Sequence, residues 1–198
     1  MKDISRDILL QASLGDEEAF EMIYRAASEF VYTIAFRITN NRDDAEDVTQ
    51  EVFIKIYKNL KDFRFLSSFK TWVYRITVNA AITACKGITE EMNRRDDDSS
   101  LAEQCISPLA ETAIDQDDTE RLITDLLGVL NPDQRACIVL REIEGLNYKE
   151  ISEVLNININ TVRSRLKRAR EALIAYRKSE ATKNEMQKNS GVALDRLS

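Results

Sequence analysis

"LNYKEISEVLNININTVRSRLKRAREAL" (residues 146–173) holds two amphipathic segments separated by a short asparagine-rich break. Asn147, followed three residues on by Glu150, is a capping-box pattern for a short helix reaching Leu155. "NIN" (residues 156–158) reads as a turn, and Asn160 as the cap of the next helix. Two helices joined in this way are a helix-turn-helix. On the second, Val162, Leu166, Ala169 and Leu173 recur at helical spacing and form the packed face. Asn160, Arg163, Ser164, Lys167 and Arg168 lie opposite, with Arg165 and Arg170 on the flanks. The chain as a whole carries a formal net charge of −6, so this basic face is a local concentration. It suits a duplex major groove, where guanidinium groups bond guanine O6 and N7 and flanking cations neutralise phosphates. A merely solvated charged stripe would have the same composition; the capped helix and turn in front of it favour DNA recognition.

Around this segment the composition points to helix. The 198 residues, 43% hydrophobic, suffice for two small cores, and with five glycines, two prolines and little strand-like alternation the chain is expected to be all-α. No apolar run reaches transmembrane length and the first twenty residues carry charges throughout, so a cytosolic protein is expected. Cys85, Cys105 and Cys137 form no CxxC pair and the chain has no histidine, which argues against a disulfide framework or a His-containing zinc site and for buried or idle thiols. The missing histidine also removes Ser-His-Asp and Cys-His catalysis, and no glycine-rich phosphate loop is present. Neither an enzyme nor a cofactor is implied.

The chain divides into residues 1–86, a succession of amphipathic helices broken at "TNNRDD" (39–44) and "FRFLSS" (63–68); an acidic linker, 87–118; a second bundle, 119–177; and a polar tail, 178–198, expected to be disordered in its last part. Asn131 and Pro132 mark a helix start within the second bundle. The expected architecture is two small helical domains joined by a flexible acidic linker.

In "DAEDVTQEVFIKIYKNL" (44–60), Ala45, Val48, Val52, Phe53, Ile56 and Leu60 share an inward face, while Asp47, Gln50, Glu51 and Ile54 lie together outside. An isoleucine within an acidic stripe fits either a partner surface or an ordinary surface with one stray apolar residue. "FRFLSSFKTWVYRITVNAAITACKG" (63–87) interleaves aromatics with Arg64, Lys70, Arg75 and Lys86, and places Trp72, Arg75 and Asn79 on one side of a helix. That mixture could hold unpaired bases, but Trp72, Val73 and Ile76 could equally be core.

In order and spacing, "GDEEAFEMIY", "DAEDVTQEVFIKIYKNL", "FKTWVYRITVN" and residues 130–173 resemble the sigma-70 superfamily, specifically its two-domain extracytoplasmic function (ECF) group, over residues 16–176. The resemblance implies promoter-specific transcription initiation with core RNA polymerase. Region 2 would dock on the β′ clamp helices through Asp47, Gln50, Glu51 and Ile54. Phe63, Arg64, Phe65, Lys70, Trp72, Arg75 and Asn79 would recognise and melt the −10 element, a base flipping into a pocket made by the loop 63–68. The acidic linker would thread towards the active-site cleft. Region 4 would sit on the β flap and read the −35 element through Arg163, Ser164, Lys167 and Arg168, flanked by Arg165 and Arg170. An anti-sigma factor or another recruiting protein is a further implied partner. The family's loop often has glycine where Phe65 stands, so a changed loop shape and base preference are expected.

Two other readings compete. A conventional helix-turn-helix regulator would bind an operator without polymerase and leaves the acidic stripe and the aromatic segment without a joint purpose. A carboxylate-based enzyme on a helical bundle would need paired carboxylates in a pocket or a metal-ligand repeat, and the chain offers no histidine for one.

Overall fold

Side-chain caps written into the sequence start most of the helices. The computed structural model describes residues 1, 3–95 and 118–194. Ser5 accepts the Ile8 N–H at the head of α1 (Arg6–Ser13), and Asp16 accepts the Ala19 N–H at the head of α2 (Glu17–Thr39). Asn41 accepts from Asp44 at the head of α3 (Arg42–Asn59). One 3-10 turn (Leu60–Asp62) leads into the loop 63–68, where Ser68 accepts the Thr71 N–H as α4 (Phe69–Arg95) begins. In the second half come α5 (Asp118–Gly128), α6 (Pro132–Ile138), a π turn (Val139–Ile143), α7 (Tyr148–Leu155) and α8 (Ile159–Leu194). Asn131 accepts from Gln134 with Pro132 at the first helical position, as the sequence predicts. The described residues contain no strand.

The expected break at 39–44 shrinks to two residues. Asn40 closes α2 in the left-handed region (φ 59°) and Asn41 opens α3. Asp43 and Asp44 therefore belong to the first helical turn, where carboxylates meet the positive end of the macrodipole. The break at 63–68 stands as read.

Two other boundaries move. α4 continues to Arg95, past the expected boundary at Lys86, because the residues that follow include no proline to end it. α8 continues to Leu194 through a tail expected to be partly disordered; Ala, Lys, Glu, Gln and Met there are strong helix formers and need no packed face to propagate a helix already nucleated. Most of the expected acidic linker, with Cys105, lies outside the described residues, as do residues 195–198.

α2, α3 and α4 pack on one another, with α1 against α2 and the 3-10 turn. The inward set on α3 is buried as its spacing predicts: Ala45, Val48, Val52, Phe53, Ile56 and Leu60 are all nearly inaccessible, with Ile23, Val31 and Ile34 of α2 and Val73 and Val78 of α4 around them. The second half buries Leu140, Ile151, Val154, Val162, Leu166 and Ala169, and the two sets run together as one core.

Arg135, on α6, is buried at the junction of the halves. It donates to Leu127 O (2.8 Å) and Leu130 O (2.9 Å) in its own half, and to Ile38 O (2.9 Å) and Thr39 O (3.0 Å) at the end of α2. These last two belong to the carbonyls that a helix C-terminus cannot satisfy internally. Arg37 pairs with Glu144 at 3.3 Å and Lys86 with Asp133 at 3.3 Å across the same junction. Tyr74 is buried beside Arg37 and Glu144, and burial first, then the Glu144 carboxylate, pushes its phenol above the ordinary tyrosine range.

Cys85 and Cys137 are both buried. Burial pushes the Cys137 thiol up to about 11 despite the neighbouring Arg165, so it is neutral near pH 7 and its thiolate scarce. Alkylation followed by peptide mass spectrometry should find Cys137 protected in the native protein and modified rapidly in denaturant; rapid native labelling would contradict this burial.

Candidate nucleic-acid interface

The capping box at Asn147 forms as the sequence predicts: Asn147 Oδ1 accepts from Glu150 N–H at 3.0 Å, and Asn147 N–H donates to Glu150 Oε2 at 2.7 Å. α7 closes on Asn156 in the left-handed region (φ 52°). The next helix is capped differently from expectation. Asn158, rather than Asn160, supplies the cap, its Oδ1 accepting the Asn160 N–H at 2.8 Å and its carbonyl accepting from Thr161 and Val162. Ile157 decides this, because it must turn its side chain to the core, and its N–H bonds Ser152 O at 3.1 Å. The side chain of Asn160 is thereby free to accept from Arg163 Nη1 at 3.0 Å, which orients that guanidinium.

On α8, Val162, Leu166 and Ala169 are buried and Leu173 is half-buried, while Arg163, Ser164, Lys167 and Arg168 are exposed together. The flanking arginines are already engaged. Arg165 is half-buried and pairs with Asp133 at 3.4 Å; Arg170 pairs with Glu142 at 2.8 Å, and bonds to Glu142 and Tyr148 raise its pKa further. On the crest Arg163 bonds Asn160 and Lys167 lies 3.9 Å from Glu171, both partners on α8 itself, whereas Arg165 and Arg170 are tied to other elements.

On α3, Asp47, Gln50, Glu51 and Ile54 are all exposed, Ile54 to 53%. Glu51 pairs with Lys55 at 2.6 Å within the helix, an exposed pair worth at most about 1 kcal/mol and easily exchanged for another partner.

In the loop 63–68 and early α4, Phe63 is the hub of an aromatic cluster. Its ring centroid lies 4.8 Å from that of Phe65, 5.8 Å from Phe69 and 5.1 Å from Trp72. Trp72 is half-buried, one part of it in the cluster, whereas Val73 is core. Arg64, Lys70, Arg75 and Asn79 are exposed, with the Lys70 ammonium 5.4 Å from the Phe30 ring centroid. Phe65 takes φ 56°, so the bulk of its side chain does not bar the left-handed backbone that glycine would allow. Such a conformation costs about 1 to 3 kcal/mol and must be held by its surroundings. Ser67, Ser68, Lys70, Thr71 and Tyr74 face Glu144, Glu150 and Glu153 across a groove between this segment and the second half.

The sequence holds no sign of Arg135, of Arg6, whose guanidinium lies over Phe65, or of the Arg37–Glu144 pair, since each joins segments remote in the chain. No group of His, Cys, Asp and Glu among the described residues could hold a metal ion. No described helix is long and apolar enough to cross a membrane.

Comparison with known proteins decides among the readings. The "Sigma-70 region 2" family model matches residues 23–89, and the "Sigma-70, region 4" model matches 120–173. The chain belongs to the sigma-70 family. The sigma factor is 36% identical over 171 residues to the ECF RNA polymerase sigma-E factor of Haemophilus influenzae, covering 80% of this chain and 87% of that one. It is 34% identical over 172 residues to the RNA polymerase sigma-H factor of Pseudomonas aeruginosa, covering 80% and 86%. The solved structure of the sigma factor RpoE in complex with the anti-sigma factor NepR from Bartonella quintana shares the fold, with a TM-score of 0.59 and 24% identity, covering 80% of this sigma factor and 96% of that chain. An operator-binding regulator of the conventional kind is not favoured by these likenesses.

Proposed function

We propose that this ECF-type sigma factor directs promoter-specific initiation by binding energy alone, making and breaking no covalent bond. The observation that carries the reading is the partition of α8, whose buried Val162, Leu166 and Ala169 set four exposed groups, Arg163, Ser164, Lys167 and Arg168, on one solvent-facing side. These read the −35 duplex; Arg165 and Arg170, pinned by Asp133 and Glu142, stiffen its sides and meet phosphates at most. Residues 1–86 hold most of region 2, whose family match runs on to residue 89, and 119–177 hold region 4, with a connecting segment between them and 178–198 a tail. Asp47, Gln50, Glu51 and Ile54 dock on the β′ clamp helices, and region 4 sits on the β flap. Phe63, Arg64, Phe65, Lys70, Trp72, Arg75 and Asn79 engage the −10 element. Extruding a base costs a few kcal/mol, which stacking and pocket contacts offset. The protein acts in the cytoplasm with polymerase, and an anti-sigma factor, as in the complex of RpoE with NepR, is its expected restraint.

Core polymerase titrated with fluorescently labelled protein tests the docking assignment. The double substitution Asp47→Ala/Gln50→Ala is expected to weaken binding about tenfold, equal to about 1.4 kcal/mol, with no change in thermal stability. Unchanged core affinity would remove these residues from the interface.

A further inference from the structure

Phe65 holds a left-handed backbone, φ 56°, which residues with bulky side chains avoid. Two contacts bear on its ring: the Phe63 ring, 4.8 Å away between centroids, and the Arg6 guanidinium, whose carbon lies 4.7 Å from the ring centroid. Phe63 is in turn fixed by Phe69 and Trp72. Arg6 is the first residue of α1, where a cation opposes the helix macrodipole, so local helix stability does not account for an arginine there. α1 is itself anchored, with Leu9 and Ala12 buried and the helix packed on the 3-10 turn that leads into the loop. Next to Phe65, Leu66 is 89% exposed, a large apolar side chain at the tip of the loop.

We propose that Arg6 is a positioning residue for promoter selection: by holding the Phe65 ring it keeps the left-handed turn, and the turn fixes how Leu66 and Arg64 meet bases of the −10 element. The inference rests on the reading that residues 63–68 face that element. The chemistry suits it. A cation over an aromatic face holds the ring without needing a directional hydrogen bond, and an exposed leucine of fixed direction can wedge against a base that has left the stack.

The test uses holoenzyme assembled from the full chain and core polymerase, in run-off transcription on two promoter libraries, one randomised in the −10 element and one in the −35 element. Arg6→Ala is expected to change relative use of −10 sequences by about two- to fivefold while leaving −35 preference as it was. Arg6→Lys, which keeps a cation over the ring, should retain most of the wild-type preference. In a Phe65→Gly background, Arg6→Ala should add nothing, since the ring that the guanidinium holds is then absent. An unchanged −10 preference in Arg6→Ala, an equal shift in both libraries, or an undiminished effect in the glycine background would each overturn the role. Asn79→Ala, run alongside, separates two failures. If it alters −10 selection and Arg6→Ala does not, the Arg6 role alone falls; if neither does, the assignment of this segment to the −10 element falls with it.

Discussion

Replacing Arg163 and Arg168 together with alanine should abolish discrimination at the upstream promoter element while leaving the protein folded and bound to polymerase. Both side chains are exposed on the crest of α8, and Asn160 orients the Arg163 guanidinium through a 3.0 Å bond. A bidentate arginine–guanine contact is worth about 1 to 3 kcal/mol of discrimination, so two independent ones amount to about 2 to 6 kcal/mol. At 1.4 kcal/mol per factor of ten, preference for the best −35 sequence should fall by roughly 30-fold or more. Holoenzyme run-off transcription on a −35 library measures it. Lys167→Ala is expected to change −35 preference less than either arginine, because an ammonium offers no bidentate fork to a guanine and Glu171 lies 3.9 Å from it on the same helix. Arg170→Ala should change selection less than either crest arginine, because Glu142 already occupies its guanidinium at 2.8 Å. Full −35 discrimination retained in the double variant would move the recognition surface elsewhere.

How far such a surface can be read from sequence depends on whether the determining contact is local. The inward and outward faces of α3, the capping box at Asn147 and the start at Asn131–Pro132 are legible because periodicity and capping act within a few residues. The stretch from Asn156 to Asn160 is ambiguous, since three asparagines at alternate positions could each cap a helix. The structure uses Asn156 to end α7, Asn158 to begin α8 and Asn160 to hold Arg163, and the packing of the half-buried Ile157 against the core goes with that choice. Phe65 is legible as a departure from a glycine pattern, but its left-handed backbone is not, because Arg6 and Phe63 reach it through tertiary contact. The pinning of Arg165 and Arg170 is hidden for the same reason: Asp133 and Glu142 come from the preceding elements, and a helical projection shows only α8.

Arg135 is where that hidden information weighs most on stability, and Arg135→Ala is expected to be the most destabilising single change. Only 4% of the residue is exposed, and its guanidinium donates to Ile38 O, Thr39 O, Leu127 O and Leu130 O at 2.8 to 3.0 Å. Alanine would leave these carbonyls without that donor, two of them at the end of α2 and two around the α5–α6 connection, and would open a cavity of guanidinium size. A single hydrogen bond to a charged group contributes about 1.5 to 3 kcal/mol, and partial relaxation and entering water recover some of the loss, which places the net cost at about 3 to 5 kcal/mol. At about 2 to 4 °C per kcal/mol for a chain of this size, the thermal midpoint should drop by roughly 10 °C. Arg135→Lys should recover only a minority of this, because one ammonium cannot reach carbonyls on both sides of the junction as a planar fork does. Calorimetry distinguishes two ways of losing stability. If Arg135 couples the halves, the wild type should unfold in one transition and the variant in two resolved ones. A single transition displaced as a whole would confine its role to the second half, through Leu127 and Leu130, and a midpoint within about 1 °C of wild type would show that the four bonds contribute little beyond what water supplies.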